Sequence, residues 1–430
     1  MTTELQAITN KALSAQTHRF QNLAGLLTPG LLLRSWGQLN KQAKPGVDGI
    51  TMPDYGDNLL VNIQNLHSDL RSQAYRTSPI QRVLIPKGNG KTRSLGLPTT
   101  EDKLVQQAAS NILQSIWEPE FEAFSYGYRP NKSAHQAVNS LNLNLRFKSY
   151  GYVVEADIKG FFDNIDHDWL IKMLELRIDD KAFIGLIKQW LKSRVRQLDG
   201  SYIKPEKGTP QGGVISPVLA NIYLHYALDL WFSKKVKPRM TGNCMLIRYA
   251  DDFVVAFQYK DDADRFYRVL PKRLSKFGLN IAPEKTRLIK FNQFRPGRER
   301  HFNFLGFEFY WDQDKNGKSQ LRRRTARSKL KQAINEMKDW IRRYRSVKLN
   351  KLMPLYKRKL IGYQNYFGLP GNSVSLNLYS RYAFKALFKW LNRRSQRRSY
   401  NWVSFSEMLR CYGVHGLRVR KREYLAVDWY

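Results

Sequence analysis

The sequence predicts an α+β protein that closes in a helical, strongly basic region, and three observations carry that reading. Short β-branched or aromatic runs at 83–85, 152–154, 246–249 and 253–257 are separated by helix-compatible stretches at 102–117, 170–190 and 218–231, so 76–310 mixes strand and helix. Beyond it Leu330, Ile334, Met337, Ile341 and Tyr344 recur at steps of four and three, which sets them on one helical face. Charge shifts at the same place: residues 318–430 hold 28 Lys and Arg against 5 Asp and Glu, a surplus of 23 within a formal net charge of +36. The turn signal Asn316-Gly317, after the aromatic run 304–311, is therefore read as a domain boundary.

With 430 residues, 42% of them hydrophobic, the chain can build two or three domains with cores of their own. A pI near 10.1 makes polyanions, and nucleic acid first among them, the expected partner. Charge alone would also suit a ribosomal or chromatin protein, so motifs must decide. Cys244 and Cys411 stand far apart in no CxxC spacing, which supports neither a disulfide framework nor a zinc module and fits a reducing compartment. The apolar run Leu31-Leu32-Leu33 is far too short to cross a bilayer, and 1–25 lack the basic-then-apolar order of a signal peptide. The expectation is a soluble cytoplasmic protein, with no membrane partner, that associates with the nucleoid or a ribonucleoprotein.

The helical region carries its charge in order. Across 378–394, Arg381, Lys385, Lys389 and Arg393 repeat every fourth residue beside the apolar Tyr382, Ala383, Ala386, Leu387 and Trp390. One such ridge is ordinarily a solvated face. Together with Arg394 and the clusters Arg322-Arg323-Arg324, Lys357-Arg358-Lys359 and Arg397-Arg398, it reads as a surface that tracks phosphates.

The sharpest local feature is Tyr249-Ala250-Asp251-Asp252, held between Met245-Leu246-Ile247 and Phe253-Val254-Val255. Two apolar arms around an acidic apex predict a β-hairpin with carboxylates at its turn. Asp is a common turn residue, but adjacent carboxylates against a core repel each other unless a cation lies between them. A second strand, Tyr152-Val153-Val154-Glu155-Ala156-Asp157, ends in acid as well. Side by side, the two strands would set Asp157 against Asp251. A few carboxylates completed by substrate phosphates suit Mg²⁺, and two such ions can activate a 3′-hydroxyl and steady a departing pyrophosphate.

The order of these segments resembles the reverse-transcriptase palm, and in particular the enzymes encoded by group II introns, over nearly the whole chain. The blocks are Lys44-Pro45-Gly46-Val47-Asp48-Gly49; Arg82-Val83-Leu84-Ile85-Pro86-Lys87, leading to Lys91-Thr92-Arg93-Ser94-Leu95-Gly96-Leu97-Pro98; and Ser125-Tyr126-Gly127-Tyr128-Arg129-Pro130. They continue through the Asp157 strand, Gly208-Thr209-Pro210-Gln211-Gly212-Gly213 with Ser216-Pro217, the Tyr249 to Asp252 box, Gly278-Leu279-Asn280, Glu284-Lys285-Thr286 and Phe304-Leu305-Gly306-Phe307. Each is weak alone; nine in order are specific.

The resemblance implies a right-hand polymerase, with fingers and palm built on an antiparallel sheet flanked by helices, and an α-helical thumb. It implies that Asp157, Asp251 and Asp252 are the catalytic and metal-binding carboxylates for two Mg²⁺ ions, for which Mn²⁺ can substitute. Lys87 and Arg93 would grip the triphosphate, and Phe162 would gate the sugar against a 2′-hydroxyl, though either Phe161 or Phe162 also suits a core by strand alternation. Gln211 and Ile158 complete the nucleotide contacts. Asp163, Asp166 and Glu155 read as caps or surface groups. The partners implied are an RNA template, a DNA or RNA primer, dNTPs and a group II intron RNA.

The expected organisation is an N-terminal extension and start of the fingers at 1–75, fingers and palm at 76–317, thumb or maturase X domain at 318–395, and a short basic segment at 396–430 that resembles a DNA-binding remnant. The expectation is an enzyme that lacks the Cys/His-containing endonuclease domain of full-length mobile-intron proteins. Alternatives are a freestanding domesticated enzyme in repair, defence or CRISPR spacer acquisition, or chiefly an RNA-binding splicing cofactor. An RNA-dependent RNA polymerase shares such acidic boxes, and Phe162 argues against it.

Overall fold

The computed structural model describes residues 3–88, 91–297, 299–394 and 399–420, apart from the side chains of Lys87 and Lys91. The strands among these residues are, in chain order, β1 (Ile80–Gly88), β2 (Lys91–Leu97), β3 (Tyr152–Asp157), β4 (Val195–Arg196), β5 (Tyr202–Ile203), β6 (Cys244–Tyr249), β7 (Asp252–Phe257), β8 (Arg287–Lys290), β9 (His301–Phe304), β10 (Phe307–Gln313) and β11 (Ser319–Thr325). They pair in the orders β2-β1-β4-β5, β6-β7-β3-β8 and β11-β10-β9, and helices fill the intervals, so the class is α+β. The chain divides into two compact units, each gathered from separate stretches: Met1–Ser133 with Ala156–Val255 and Asp261–Arg287, and Ala134–Glu155 with Ala256–Lys260 and Leu288–Tyr430.

In the first unit the helix Thr100–Trp117 is the central support. The Thr99 hydroxyl caps it, accepting from the Asp102 amide at 3.2 Å, and Leu104, Val105, Ala108, Ile112, Leu113 and Ile116 are wholly buried. Asp102 accepts from the Tyr75 hydroxyl and from the Ser78 amide at 3.1 Å, which ties the approach to β1 to this helix.

The expected helical stretch 170–190 is in fact two helices, His167–Glu175 and Lys181–Leu191. Asp179 and Asp180 cause the break. The Asp179 amide donates to the Phe20 carbonyl at 2.7 Å, while the Asp180 carboxylate caps the second helix through the Phe183 amide at 2.9 Å and accepts from the Ala24 amide at 2.8 Å. The stretch 218–231 begins as the helix Ser216–Leu224 and then widens: across His225–Asp229 the Leu230 amide reaches back five residues to the His225 carbonyl, a π turn.

In the second unit β10 lies between β9 and β11, with Phe309 opposite Phe302 on one side and Arg323 on the other. Asn316 and Gly317 form the hairpin turn between β10 and β11, where the Asp314 carboxylate accepts from the Asn316 and Lys318 amides at 2.9 Å each and Gly317 takes φ 74°. The turn signal thus marks a return into the same sheet, and the helical part opens only with the helix Arg327–Tyr344. It continues in the helices Leu349–Phe367, Ser373–Leu391 and Trp402–Cys411. Met337 and Ile341 enter its core with Leu352, Met353, Tyr356 and Leu376, and Leu330 and Ile334 pack beside it. Tyr344 closes the same expected face but remains exposed. Among the described residues no helix is long and apolar enough to cross a membrane.

Candidate active site

Asp157 is the last residue of β3. The chain beyond it runs beside 280–282: the Ala282 amide donates to the Asp157 carbonyl at 2.8 Å, the Lys159 amide to the Asn280 carbonyl at 2.8 Å, and Ile158 bridges Ile281 antiparallel. This pairing carries Lys285 over the Asp157 carboxylate, where its Nζ donates to Oδ2 at 2.7 Å. That bond raises the ammonium's pKa.

β6 and β7 form the expected hairpin, with Ala250 between them at φ 56°, and β7 neighbours β3 in the sheet. The acidic apex and the end of β3 therefore meet. Asp251 is half-buried, and its carboxyl is raised above the usual range by burial first and by Asp157 second, with Arg93 and Lys285 opposing. Asp252 opens β7 and is half-buried. Among the described residues no three acidic, His or Cys side chains close into a cage of their own. An open pair of hard carboxylates, one already carrying an ammonium in hydrogen-bond contact, fits a divalent cation that completes its shell with water and substrate oxygens.

Arg93 lies on β2 opposite Ile85 and donates from Nε to Gln211 Oε1 at 2.8 Å. Gln211 Nε2 is 3.3 Å from both carboxylate oxygens of Asp163, and its carbonyl accepts from the Gly96 amide at 2.7 Å. Gly212, at φ 113°, passes so close to this strand that a Cβ would stand 2.7 Å from the Gly96 carbonyl oxygen.

Phe161 and Phe162 do not alternate along a strand: they open a short helix, Phe161–Asn164, after Gly160 at φ 54°, and one helical turn buries both rings. Phe162 meets Tyr128 edge-on at 6.3 Å, and the Tyr128 hydroxyl is raised by burial and then by Asp251. Ile158 is only 2% exposed, so its side chain packs in the core. Lys87 lies on β1, but its side chain is outside the described residues. Asp166 is a cap, accepting from the Trp169 amide at 2.9 Å, whereas Asp163 holds Gln211.

Lys285 and Tyr128 fall within the sequence blocks, yet nothing in their local spacing gives either a role. Lys285 is 128 residues from Asp157, and no neighbouring residue announces their pairing. Sequence reasoning missed Arg248 too, although a charged residue within an apolar strand demands a partner.

The basic clusters divide. Arg381, Lys385, Lys389 and Arg393 are exposed, and Lys389, Arg393 and Arg345 stand 5.6, 5.9 and 5.1 Å from the centre of the Trp390 ring. Arg358 and Lys359 are exposed and Lys357 half-buried, while Arg394 donates to the Val347 carbonyl at 2.9 Å. Arg322, Arg323 and Arg324 do not share one surface, because strand alternation turns Arg323 inward and away from its two neighbours. Arg323, 6% exposed, donates to Asn139 Oδ1 at 2.7 Å and to the Pro370 carbonyl at 3.0 Å; Arg324 pairs with Glu308, and Arg322 with Asp312 at 3.6 Å. Arg397 and Arg398 lie outside the described residues.

Residues 85–309 match the family of reverse transcriptases (RNA-dependent DNA polymerases), more than half of the chain. The chain belongs to the reverse-transcriptase family, and by class it is an RNA-directed DNA polymerase, a type of enzyme that uses divalent metal ions. It is 34% identical over 270 residues to protein YkfC of Escherichia coli, covering 55% of this chain and 70% of that one. It is 30% identical over 403 residues to the group II intron-encoded protein LtrA of Lactococcus lactis, covering 74% of this chain and 65% of LtrA. The putative COX1/OXI3 intron 1 protein of Saccharomyces cerevisiae is 29% identical over 336 residues, 67% of this chain and 37% of that one. The chain thus spans less than two thirds of the length of these last two relatives.

Proposed function

We propose that the chain is a group II intron-like enzyme that adds dNTPs to a DNA or RNA primer on an RNA template, with Asp157, Asp251 and Asp252 holding two Mg²⁺ ions for which Mn²⁺ can substitute. The observation that carries this reading is the meeting of Asp157 and Asp251 on neighbouring strands, with Lys285 and Arg93 in their field. Held by Asp157, Asp251 and Asp252, such ions would supply activation of the 3′-hydroxyl and charge stabilisation for the departing pyrophosphate. The chain's own groups act by position and charge. Lys285 balances Asp157 while no cation is bound. Arg93 exchanges Gln211 for the triphosphate as a planar fork, and Lys87 adds a point charge. The Phe162 ring blocks a 2′-hydroxyl and leaves it unpaired, which favours dNTPs.

The test is extension of a DNA primer on RNA with Mg²⁺. Asp251→Asn is expected to lower the rate on the order of 10³-fold; activity that survives would overturn the site.

A second reading, intron-RNA binding in support of splicing, is favoured by the exposed ridge Arg381, Lys385, Lys389 beside Trp390 and by the similarity to LtrA. Splicing that persists in the Asp251 variant and fails when the ridge is neutralised supports it. A gene without flanking intron RNA points instead to a freestanding enzyme.

A further inference from the structure

Behind the Ala250–Asp251 peptide lies a charged cluster that the chemistry above does not use. Arg248, in β6, and Asp229 are both wholly buried. Arg248 Nε donates to Asp229 Oδ1 at 2.8 Å and Nη2 to Oδ2, a fork-to-fork pair. Its Nη1 has two further acceptors, Asn221 Oδ1 and the Ala250 carbonyl, each at 3.1 Å. Asn221 in turn donates through Nδ2 to the Gly127 carbonyl at 2.7 Å. Gly127 presses on the apex itself: a Cβ there would stand 2.3 Å from the Ala250 amide nitrogen. The Arg248 backbone is pinned as well, its amide donating to the Phe124 carbonyl and its carbonyl accepting from the Tyr126 amide, both at 2.9 Å.

Stability does not account for this arrangement. Desolvation cancels most of the attraction in a buried ion pair, and apolar residues of similar volume generally hold a core as well or better. Two structural distortions converge on the cluster instead. Asp229 closes the π turn His225–Asp229, a kind of widening that is frequent at functional sites, and a second such turn follows at Phe232–Val236. Ala250, a residue with a Cβ, is kept at φ 56°, a conformation that persists only where its surroundings impose it. The Arg248 bond to its carbonyl is one such restraint, and the close packing of Gly127 on its amide is another.

We infer that Arg248, Asp229 and Asn221 are positioning residues for Asp251: by fixing the Ala250 carbonyl they fix the peptide plane from which the Asp251 side chain departs, and so set its place beside Asp157 when a cation binds. The inference rests on the role proposed above for Asp251. Arg248→Met combined with Asp229→Leu removes both charges at similar volume, so the core should survive. Four quantities are measured: thermal midpoint, primer–template affinity, Mn²⁺ binding to the primer–template complex by electron paramagnetic resonance, and single-turnover extension rate.

The expected result is a folded protein with unchanged primer–template affinity, a rate lower by about 10²-fold and Mn²⁺ half-saturation raised by roughly tenfold. Arg248→Lys, which keeps the charge but loses the fork, should fall between this variant and wild type. It carries the same measurements if the double variant does not fold.

A folded variant with wild-type rate and wild-type Mn²⁺ half-saturation overturns the inference. So does a loss of rate and template affinity together with unchanged Mn²⁺ binding, which marks a purely structural role. Asp251→Asn in the same assays separates the two levels. If it keeps its activity, the site itself is wrong; if it is inactive while the double variant is normal, only the positioning role fails.

Discussion

At the ends of β3 and the β6–β7 turn, a few charges each have an assigned partner; along the helix Ser373–Leu391, cations stand in a row facing solvent. Asp157 holds Lys285, Arg93 holds Gln211, and Arg248 holds Asp229, so each group there has a place that no other residue fills. Arg381, Lys385 and Lys389 repeat one helical turn apart and are exposed, so one can substitute for another. Chemistry at a point needs the first kind of arrangement, and attraction along a polyanion needs only the second. Substitutions should therefore act abruptly in one region and by degrees in the other.

The largest effect is expected at the carboxylates. Asp157→Asn should lower the extension rate on the order of 10³-fold or more while leaving affinity for a primer–template duplex intact. Filter binding beside single-turnover extension checks this. Parallel losses of rate and affinity would break the separation between the two regions.

The next effect belongs to an arginine that looks like part of the binding surface and is not. Arg323 is buried with its guanidinium on Asn139 and Pro370, and burial pulls its pKa down to about 10. Arg323→Ala should cost about 3 kcal/mol of stability, the cost of removing a buried charged donor from its acceptors. Denaturant unfolding reads it, and RNA affinity of the folded variant should be unchanged. An Arg323→Ala protein of normal stability that binds RNA poorly would return this residue to the surface cluster.

A smaller effect comes from the buried side of the catalytic unit, which has no room for another positive charge. His225 is 2% exposed, and its pKa is pushed down to about 3 by burial first and by Arg248 and Arg129 after it. Unfolded, it titrates near 6.5, so the unfolded chain takes up a proton that the folded one refuses. The contribution is fully present above pH 6.5 and is lost as pH falls from there toward 3, about 2 kcal/mol by pH 5. Unfolding midpoints between pH 7 and 5 should drop for the wild type and flatten for His225→Gln. Identical pH slopes for the two proteins would show that His225 takes up its proton without cost.

How much of this could be read from the sequence follows from the range of each signal. The hairpin around Ala250 and the acidic end of β3 were legible because alternation and turn residues act within a few positions. The ridge on Ser373–Leu391 was legible because helical spacing is equally local. Asn316 and Gly317 announced a turn, but a turn residue does not say whether the chain leaves the sheet or comes back to it, and here it comes back as β11. Lys285 reaches Asp157, and Arg323 reaches Asn139, across separations of 128 and 184 residues. Arg323 therefore looked like its exposed neighbour Arg322, and Lys285 like a surface lysine.

The smallest effect should come from the ridge, and its form matters more than its size. If Arg381, Lys385 and Lys389 follow an RNA backbone, each neutralisation removes about one counterion's worth of salt dependence, so the slope of log affinity against log salt should become shallower by about one for each cation replaced. Replacing the three with Gln one at a time should weaken duplex binding in roughly equal steps, with stability altered by less than about 0.5 kcal/mol, because all three side chains are exposed. Lys389 has a second environment, 5.6 Å from the Trp390 ring centre, where an aromatic face beside cations suits stacking as well as phosphate binding. Lys389→Gln should thus lose somewhat more affinity than Arg381→Gln at the same change in slope. Affinities measured from low to high salt for the single and triple variants decide it: a triple variant whose slope matches the wild type would mean that these cations face only solvent, and that the RNA lies elsewhere.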